Sequence, residues 1–398
     1  MNKMKKTLLS NCLRGAQALG LSLGLALSLS ACRTPEAGAL SGDPLPLLDA
    51  PPAADVAPGY STEDLDWQDG ARQRAVPARL YWPAQTAQSK QTARHTARHT
   101  AGVPLIVFSH GIGGSRRGYS YLGAYWAAQG YATLHVQHVG SDRALWLGNP
   151  FGLVGRLQDA AKETEALSRV ADMRFALDQL LQGPHGAQID ADRVIAAGHS
   201  YGANTVMLLS GAQVQRQGVV MDQLRDPRFK AAIIISAPPF YGETERTAEI
   251  LKPITIPTLH ITSTEDVIVI PGYHSDARDR IAVFNATGSA AKSLVVFEGG
   301  SHSMFTDRAG TGGVALNPLV KTATKEVALA FLSQVFDGQS EPLQQWNERH
   351  KAIVNQTQMA AAAFQPFSVV RPSGSQLATG LGMLPSRSEI QQASSTEQ

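Results

Sequence analysis

Cysteine is nearly absent: Cys12 and Cys32 are the two in 398 residues. Two cysteines cannot build a disulfide scaffold and are too few for a structural zinc site. Excess charge is also lacking. Lysine plus arginine number 35 against 33 acids, a formal +2, without the dense basic face that nucleic-acid binding needs. There is no Gly-x-Gly-x-x-Gly fingerprint and no Gly-Lys-Ser/Thr run, so the glycine-rich segments do not read as phosphate cradles. His135 and His138, three apart on one strand, point to opposite faces, and His95 and His99 have no carboxylate or third ligand near them, so no metal or other cofactor is expected. Few charges do not mean disorder here. With 17% charged and 43% apolar residues the chain can bury a core, and its length suits one large domain or two smaller ones.

The first thirty-odd residues lack acids and carry Lys3, Lys5, Lys6 and Arg14 ahead of an apolar stretch from 15 to 31. A positive start, a short apolar core and small residues before a cut site describe a secretory signal. As a membrane span the stretch falls short of the ~20 residues that cross a bilayer comfortably. It ends Leu29-Ser30-Ala31-Cys32, which resembles the lipobox of bacterial lipoproteins. That resemblance implies cleavage before Cys32, lipidation (palmitate) of Cys32 and a membrane partner through the lipid. Arg33 in place of Asp implies, by similarity to enteric lipoproteins, the outer membrane of the cell envelope. Removing the four leader cations leaves 31 basic against 33 acidic residues, a formal −2 in place of +2.

The expected organisation is a signal peptide at 1–31, a Pro- and Ala-rich tether at 32–58, a catalytic domain at 59–340, a C-terminal extension at 341–365, and a Ser- and Gln-rich disordered tail at 366–398. Within the domain, residues 92 to 99 repeat Thr-Ala-Arg-His, a polar segment that reads as an exposed loop.

Strand-length apolar runs recur at 104–108, 131–136, 193–197, 231–235, 257–261 and 293–297. They are continuous instead of alternating, as in parallel strands covered on both faces. Helical patterns fall at 160–182, 201–212 and 318–336. The alternation predicts an α/β fold, a doubly wound and mostly parallel sheet with flanking helices, and such sheets place ligands at the carboxyl ends of their strands.

One of those ends carries Gly198-His199-Ser200-Tyr201-Gly202, a Gly-x-Ser-x-Gly with a strand before it and a helix after it. A serine on that turn is exposed at the sheet edge with helix N–H donors beside it, and it needs a base to become a nucleophile. In this arrangement an acid and then a histidine follow in the chain. Asp266 follows the 257–261 strand, with Glu265 as its rival. His302 follows the 293–297 strand in a Gly-rich loop. The expected roles are attack by Ser200, proton transfer by His302 and orientation by Asp266. The oxyanion donors expected are the N–H groups of Tyr201 and of Ile112, in Ser109-His110-Gly111-Ile112-Gly113-Gly114. Trp146 and Phe240, in segments leaving strand ends, are candidates for an apolar pocket, although ordinary packing explains Trp146 and its neighbour Phe151 equally well. His135 and His138 read as polar residues of the sheet edge.

The block Pro104 to Arg116, the run Arg169 to Asp178 and the start Asp69 to Pro83 resemble α/β-hydrolases of the platelet-activating-factor acetylhydrolase and dienelactone hydrolase-like group. The resemblance spans about residues 60 to 340. It implies hydrolysis of a small-molecule carboxylic ester through an acyl-enzyme, without a cofactor, on short-to-medium acyl or lipid-derived esters. Dienelactone hydrolase proper uses a cysteine, which this body lacks. Polyester or phthalate-ester cleavage, an amidase of the same fold and a non-catalytic ligand-binding lipoprotein remain as alternatives.

Overall fold

The computed structural model describes residues 59–84 and 102–360, apart from 217, 241, 271 and 272. The expected signal peptide, Cys32, the tether, the Thr-Ala-Arg-His repeat and the tail lie outside the described residues.

The chain opens with β1 (Tyr60–Asp69) and β2 (Arg74–Pro83), then β3 (Val103–Ser109), α1 (Ser120–Ala128) and β4 (Ala132–Val136). Next come α2 (Leu153–Ala160), α3 (Glu163–Gln182), β5 (Ile189–His199) and α4 (Tyr201–Ser210). The short hairpin β6 (Gln215–Arg216) and β7 (Val219–Val220) precedes β8 (Phe229–Ile235), α5 (Thr247–Leu251) and β9 (Thr258–Ser263). A second hairpin, β10 (Ile268–Ile270) and β11 (Tyr273–Ser275), leads to α6 (Ala277–Ala286) and β12 (Lys292–Phe297). The last elements are α7 (Leu316–Asp337), α8 (Glu341–His350) and β13 (Val354–Gln358).

Nine strands form one sheet in the order β1-β2-β4-β3-β5-β8-β9-β12-β13. The six from β4 to β12 run parallel. The β1–β2 hairpin and β13 cap the two edges antiparallel. The strand runs are apolar throughout because both faces are covered. On β3, Leu105 and Val107 point into one core cluster with α3 and α4, while Ile106 and Phe108 point into the other with α1 and α7. The expected α/β architecture is the observed one. Each of the six apolar runs is a parallel strand of this sheet.

Residues 341–365, expected as an extension, contribute to the fold itself through Gln358. Leu343 and Trp346 of α8 are buried in the α7 cluster, and β13 pairs with β12 from Leu294 to Phe297. His135 and His138 also depart from expectation. Strand β4 is interior, both residues are buried, and His138 lies beyond the strand end.

Among the described residues, five histidines are buried and held neutral. Burial lowers His135 to about 4. Burial lowers His138 to about 3, assisted by the Arg169 cation, and His260 to about 3, assisted by Lys292. It also pushes His110 and His199 well below the ordinary imidazole value. Below pH ~6.5 the unfolded chain binds protons at these sites that the folded chain refuses. Stability therefore falls as pH drops from there toward the folded values. His260 packs edge-on to Phe284 at 5.3 Å, and its Nε2 has no hydrogen-bond partner among the described residues. His260→Phe is expected to make the melting temperature less dependent on pH between about 6.5 and 4; an unchanged slope contradicts the burial argument.

Candidate active site

The parallel strands deliver their carboxyl ends to one edge of the sheet, and the chain reverses its direction of travel across the sheet between β3 and β5. At that switch point the β5–α4 turn holds Ser200 at φ 56° and ψ −121°, a left-handed conformation that a non-glycine residue adopts at a cost. Its N–H donates to the Ile235 carbonyl at 2.9 Å. The turn is wedged against its neighbours. A Cβ on Gly202 would lie 1.9 Å from the Ser109 carbonyl oxygen, and one on Gly198 would lie 2.4 Å from the Gly202 carbonyl oxygen. Both glycines are thus fixed by close approach of backbone to backbone.

The structure brings the three expected side chains together. His302 Nε2 is 2.8 Å from Ser200 Oγ, and His302 Nδ1 is 2.7 Å from Asp266 Oδ1. Ionised Asp266 can only accept, so Nδ1 carries the proton and the Nε2 lone pair faces the serine hydroxyl. Asp266 is fully buried, whereas its rival Glu265 is exposed and outside this chain of contacts. Burial opposes ionisation of Asp266, but the hydrogen bond and charge of His302, the Arg280 cation and the Ser236 hydroxyl outweigh it and hold the carboxyl far below its usual range. Thr262 Oγ1 donates to the same carboxylate at 2.8 Å. Ser236 and Thr262 went unread in the sequence because a hydroxyl at a strand end has no spacing signature.

The loop after β3 supplies a second feature. Of the four N–H groups from Gly111 to Gly114, that of Gly111 donates to Tyr119 Oη (3.2 Å), that of Gly113 to the Ser141 carbonyl (2.8 Å) and that of Gly114 to the Gly111 carbonyl (3.0 Å). The Ile112 N–H has no acceptor among the described residues. The Tyr201 N–H opens α4, where helical N–H groups have no intrahelical acceptor. His199 links this loop to His302. Its Nε2–H donates to the His302 carbonyl (3.1 Å), and its Nδ1 accepts from Tyr119 Oη (2.9 Å).

Trp146 stands over the same loop, with Nε1 donating to the Gly113 carbonyl at 2.9 Å and the residue 47% exposed. Phe240 packs half-buried on the core cluster of α3 and α4.

Beneath the loop lies a second Ser–His–Asp chain that the sequence did not reveal. His138 Nε2 accepts from Ser109 Oγ (2.9 Å), and His138 Nδ1 donates to Asp172 Oδ2 (3.1 Å). All three are buried, so no substrate reaches them. Asp172 and Glu165 also receive Arg74, and Asp172 receives Arg72. This network is a scaffold under the loop. Among the described residues, no group of three or more His, Cys, Asp or Glu could hold a metal ion.

Sheet order and the strand–serine–helix turn define an α/β-hydrolase fold. Residues 84–146 match the family model "Platelet-activating factor acetylhydrolase, isoform II". The bovine (Bos taurus) platelet-activating factor acetylhydrolase is 30% identical over 158 residues, covering 30% of this chain and 34% of the bovine protein. The guinea pig (Cavia porcellus) protein of the same name is 22% identical over 275 residues, covering 61% of this chain and 60% of its own length. The chain thus spans about a third to three fifths of the curated relatives it matches. Among solved structures, a ferulic acid esterase from Streptomyces cinnamoneus aligns with TM-score 0.49 and 22% identity, over 73% of this chain and 94% of the esterase. A cold-adapted esterase from an Arctic intertidal metagenomic library aligns with TM-score 0.43 and 16% identity, over 62% of this chain and 87% of that one. The family model and the curated relatives that the chain matches are all platelet-activating factor acetylhydrolases.

Gly202→Ala tests the wedged turn. Forcing a methyl into that backbone contact is expected to destabilise by at least the 1–3 kcal/mol typical of overpacking, roughly, read as a lower denaturant midpoint. A wild-type midpoint contradicts the contact.

Proposed function

We propose that this protein is a serine carboxylic-ester hydrolase. The observation that carries the reading is the hydrogen-bonded series Ser200–His302–Asp266, with the N–H groups of Tyr201 and Ile112 lacking an acceptor among the described residues. In this reading Ser200 Oγ attacks the ester carbonyl carbon while His302 Nε2 takes its proton. The carbonyl oxygen becomes an oxyanion that accepts from Ile112 N–H and Tyr201 N–H. The tetrahedral adduct collapses and breaks the C–O bond to the leaving alcohol, which receives the proton from His302. An acyl-Ser200 ester remains. Water, deprotonated by His302, attacks the acyl carbon, and Ser200 departs with that proton as the carboxylic acid leaves. Asp266 stays ionised and holds the imidazole in the tautomer each step uses. No cofactor enters the scheme.

The substrate class proposed is short-to-medium acyl or lipid-derived esters. Exposed apolar side chains support it: Val139, Trp146, Leu147, Phe151 and Val154 follow β4, Val267 and Val269 follow β9, and Val314 follows β12. The segments that carry them follow parallel strands in the chain, as Ser200 follows β5. Such residues favour an apolar acyl or alcohol group over a charged one. The leader sequence supports the further proposal that the enzyme is anchored by a lipid on Cys32 and faces its substrate from the cell envelope.

Ser200→Ala is expected to abolish turnover of p-nitrophenyl acetate and butyrate. Asp266→Asn is expected to lower kcat by roughly 10⁴-fold through the wrong imidazole tautomer. Turnover that survives in Ser200→Ala refutes the assignment. For the anchor, Cys32→Ser is expected to move the protein from the membrane fraction to the soluble envelope fraction, and membrane retention of that variant refutes it.

A further inference from the structure

Arg169 is the most deeply buried cation in the molecule's working end. It lies on α3 with no exposed surface. Among the described residues its hydrogen-bond partners are four uncharged oxygens. Nε donates to Thr205 Oγ1 (3.0 Å), one Nη to Ser141 Oγ (2.7 Å), and the other to Ser109 Oγ (3.1 Å) and to the His110 carbonyl. Its guanidinium carbon also stands 4.4 Å from the centre of the Tyr201 ring. The nearest carboxylate in the network, Glu165, is reached only through the Ser141 hydroxyl, 2.8 Å from it. Burying a guanidinium is costly, and packing alone does not call for one.

Those partners fall on the three segments that shape the Ile112 and Tyr201 N–H pair. Ser109 and His110 open the loop that presents Ile112. Ser141 offers its carbonyl to Gly113 N–H, the next residue of that loop. Tyr201 and Thr205 are the first and second turns of α4, and Thr205 Oγ1 is itself 3.2 Å from the Tyr201 carbonyl. One planar fork from a fourth segment therefore fixes the separation of the two donors. Arginine suits this because its five N–H groups diverge in a rigid plane, which lysine cannot reproduce.

We propose that Arg169 is a positioning residue for the oxyanion hole: its guanidinium clamps the Ile112 loop to the start of α4 and places a buried positive charge behind both donors. The proposal rests on the hydrolase reading above. Burial lowers the Arg169 guanidinium to about 10, so the group remains charged at neutral pH. Its contribution grows as negative charge develops on the substrate oxygen, since a preorganised charge in a water-excluded site acts on the transition state more than on the ground state.

The test compares wild type, Arg169→Lys, Arg169→Met and Thr205→Val. It uses p-nitrophenyl butyrate kinetics, inhibition by an alkylboronic acid that forms a tetrahedral adduct on serine, and melting temperature. Arg169→Met is expected to lose roughly 10²-fold in kcat, the scale of one lost oxyanion donor, with KM within about threefold and boronate affinity falling in step with kcat. Arg169→Lys restores part of the loss by keeping the charge. Thr205→Val, which removes one anchor, lowers kcat several-fold at unchanged KM. A folded Arg169→Met within threefold of wild-type kcat overturns the proposal. Where Arg169→Met does not fold, wild-type kcat in both Arg169→Lys and Thr205→Val overturns it. Wild type that neither turns over esters nor reacts at Ser200 with a fluorophosphonate overturns the hydrolase reading, and the clamp with it.

Discussion

The site depends on one tight contact, the β5–α4 turn pressed against the end of β3. The Gly202 Cα sits so near the Ser109 carbonyl that no side chain fits between them. That approach brings Ser200 and the first N–H of α4 beside the loop carrying Ile112. It also imposes the left-handed backbone on Ser200. The strain is held by parallel strands on both sides: β5 bonds to β3 and to β8, and Ser200 N–H continues the ladder to Ile235. A site built on strand ends of a covered sheet is positioned by the most rigid part of the fold.

Around that contact the molecule places two Ser–His–Asp chains with opposite fates. Ser200–His302–Asp266 opens to solvent through the imidazole, and its acid is braced by Ser236 and Thr262. Ser109–His138–Asp172 is sealed, its serine occupied by Arg169 and its acid by two further arginines. The same three residue types thus serve as reactive groups in one setting and as a brace in the other. Burial and cationic neighbours make the difference, since they keep His138 neutral and leave Ser109 without access to any ester.

Much of this was readable in the chain. Continuous apolar runs give parallel strands because burial on both faces removes the polar alternation, and each run proved to be one. Ser200, Asp266 and His302 stood out because each follows such a run in the order the fold demands. The two-faced core of β3 follows from its Val-Pro-Leu-Ile-Val-Phe-Ser sequence. Other features had no local signal. Helix α1, Ser-Tyr-Leu-Gly-Ala-Tyr-Trp-Ala-Ala, is mostly apolar and lacks a polar stripe, so its period is hidden. Strand β13, Val-Asn-Gln-Thr-Gln, is polar and forms only through its pairing with β12. The buried histidines and Arg169 read as ordinary polar residues, because what buries them is contributed by segments far apart in sequence.

The central claim is that Ser200 carries the acyl group between the two halves of ester hydrolysis. Acid quenching during turnover of p-nitrophenyl acetate, followed by peptide mass analysis, tests it most directly. The account predicts one acetyl group on the peptide containing Ser200, absent from Asp266→Asn quenched at the same early time. Steady turnover with no acetyl on that peptide, or with acetyl on another nucleophile that is lost at the turnover rate, contradicts it.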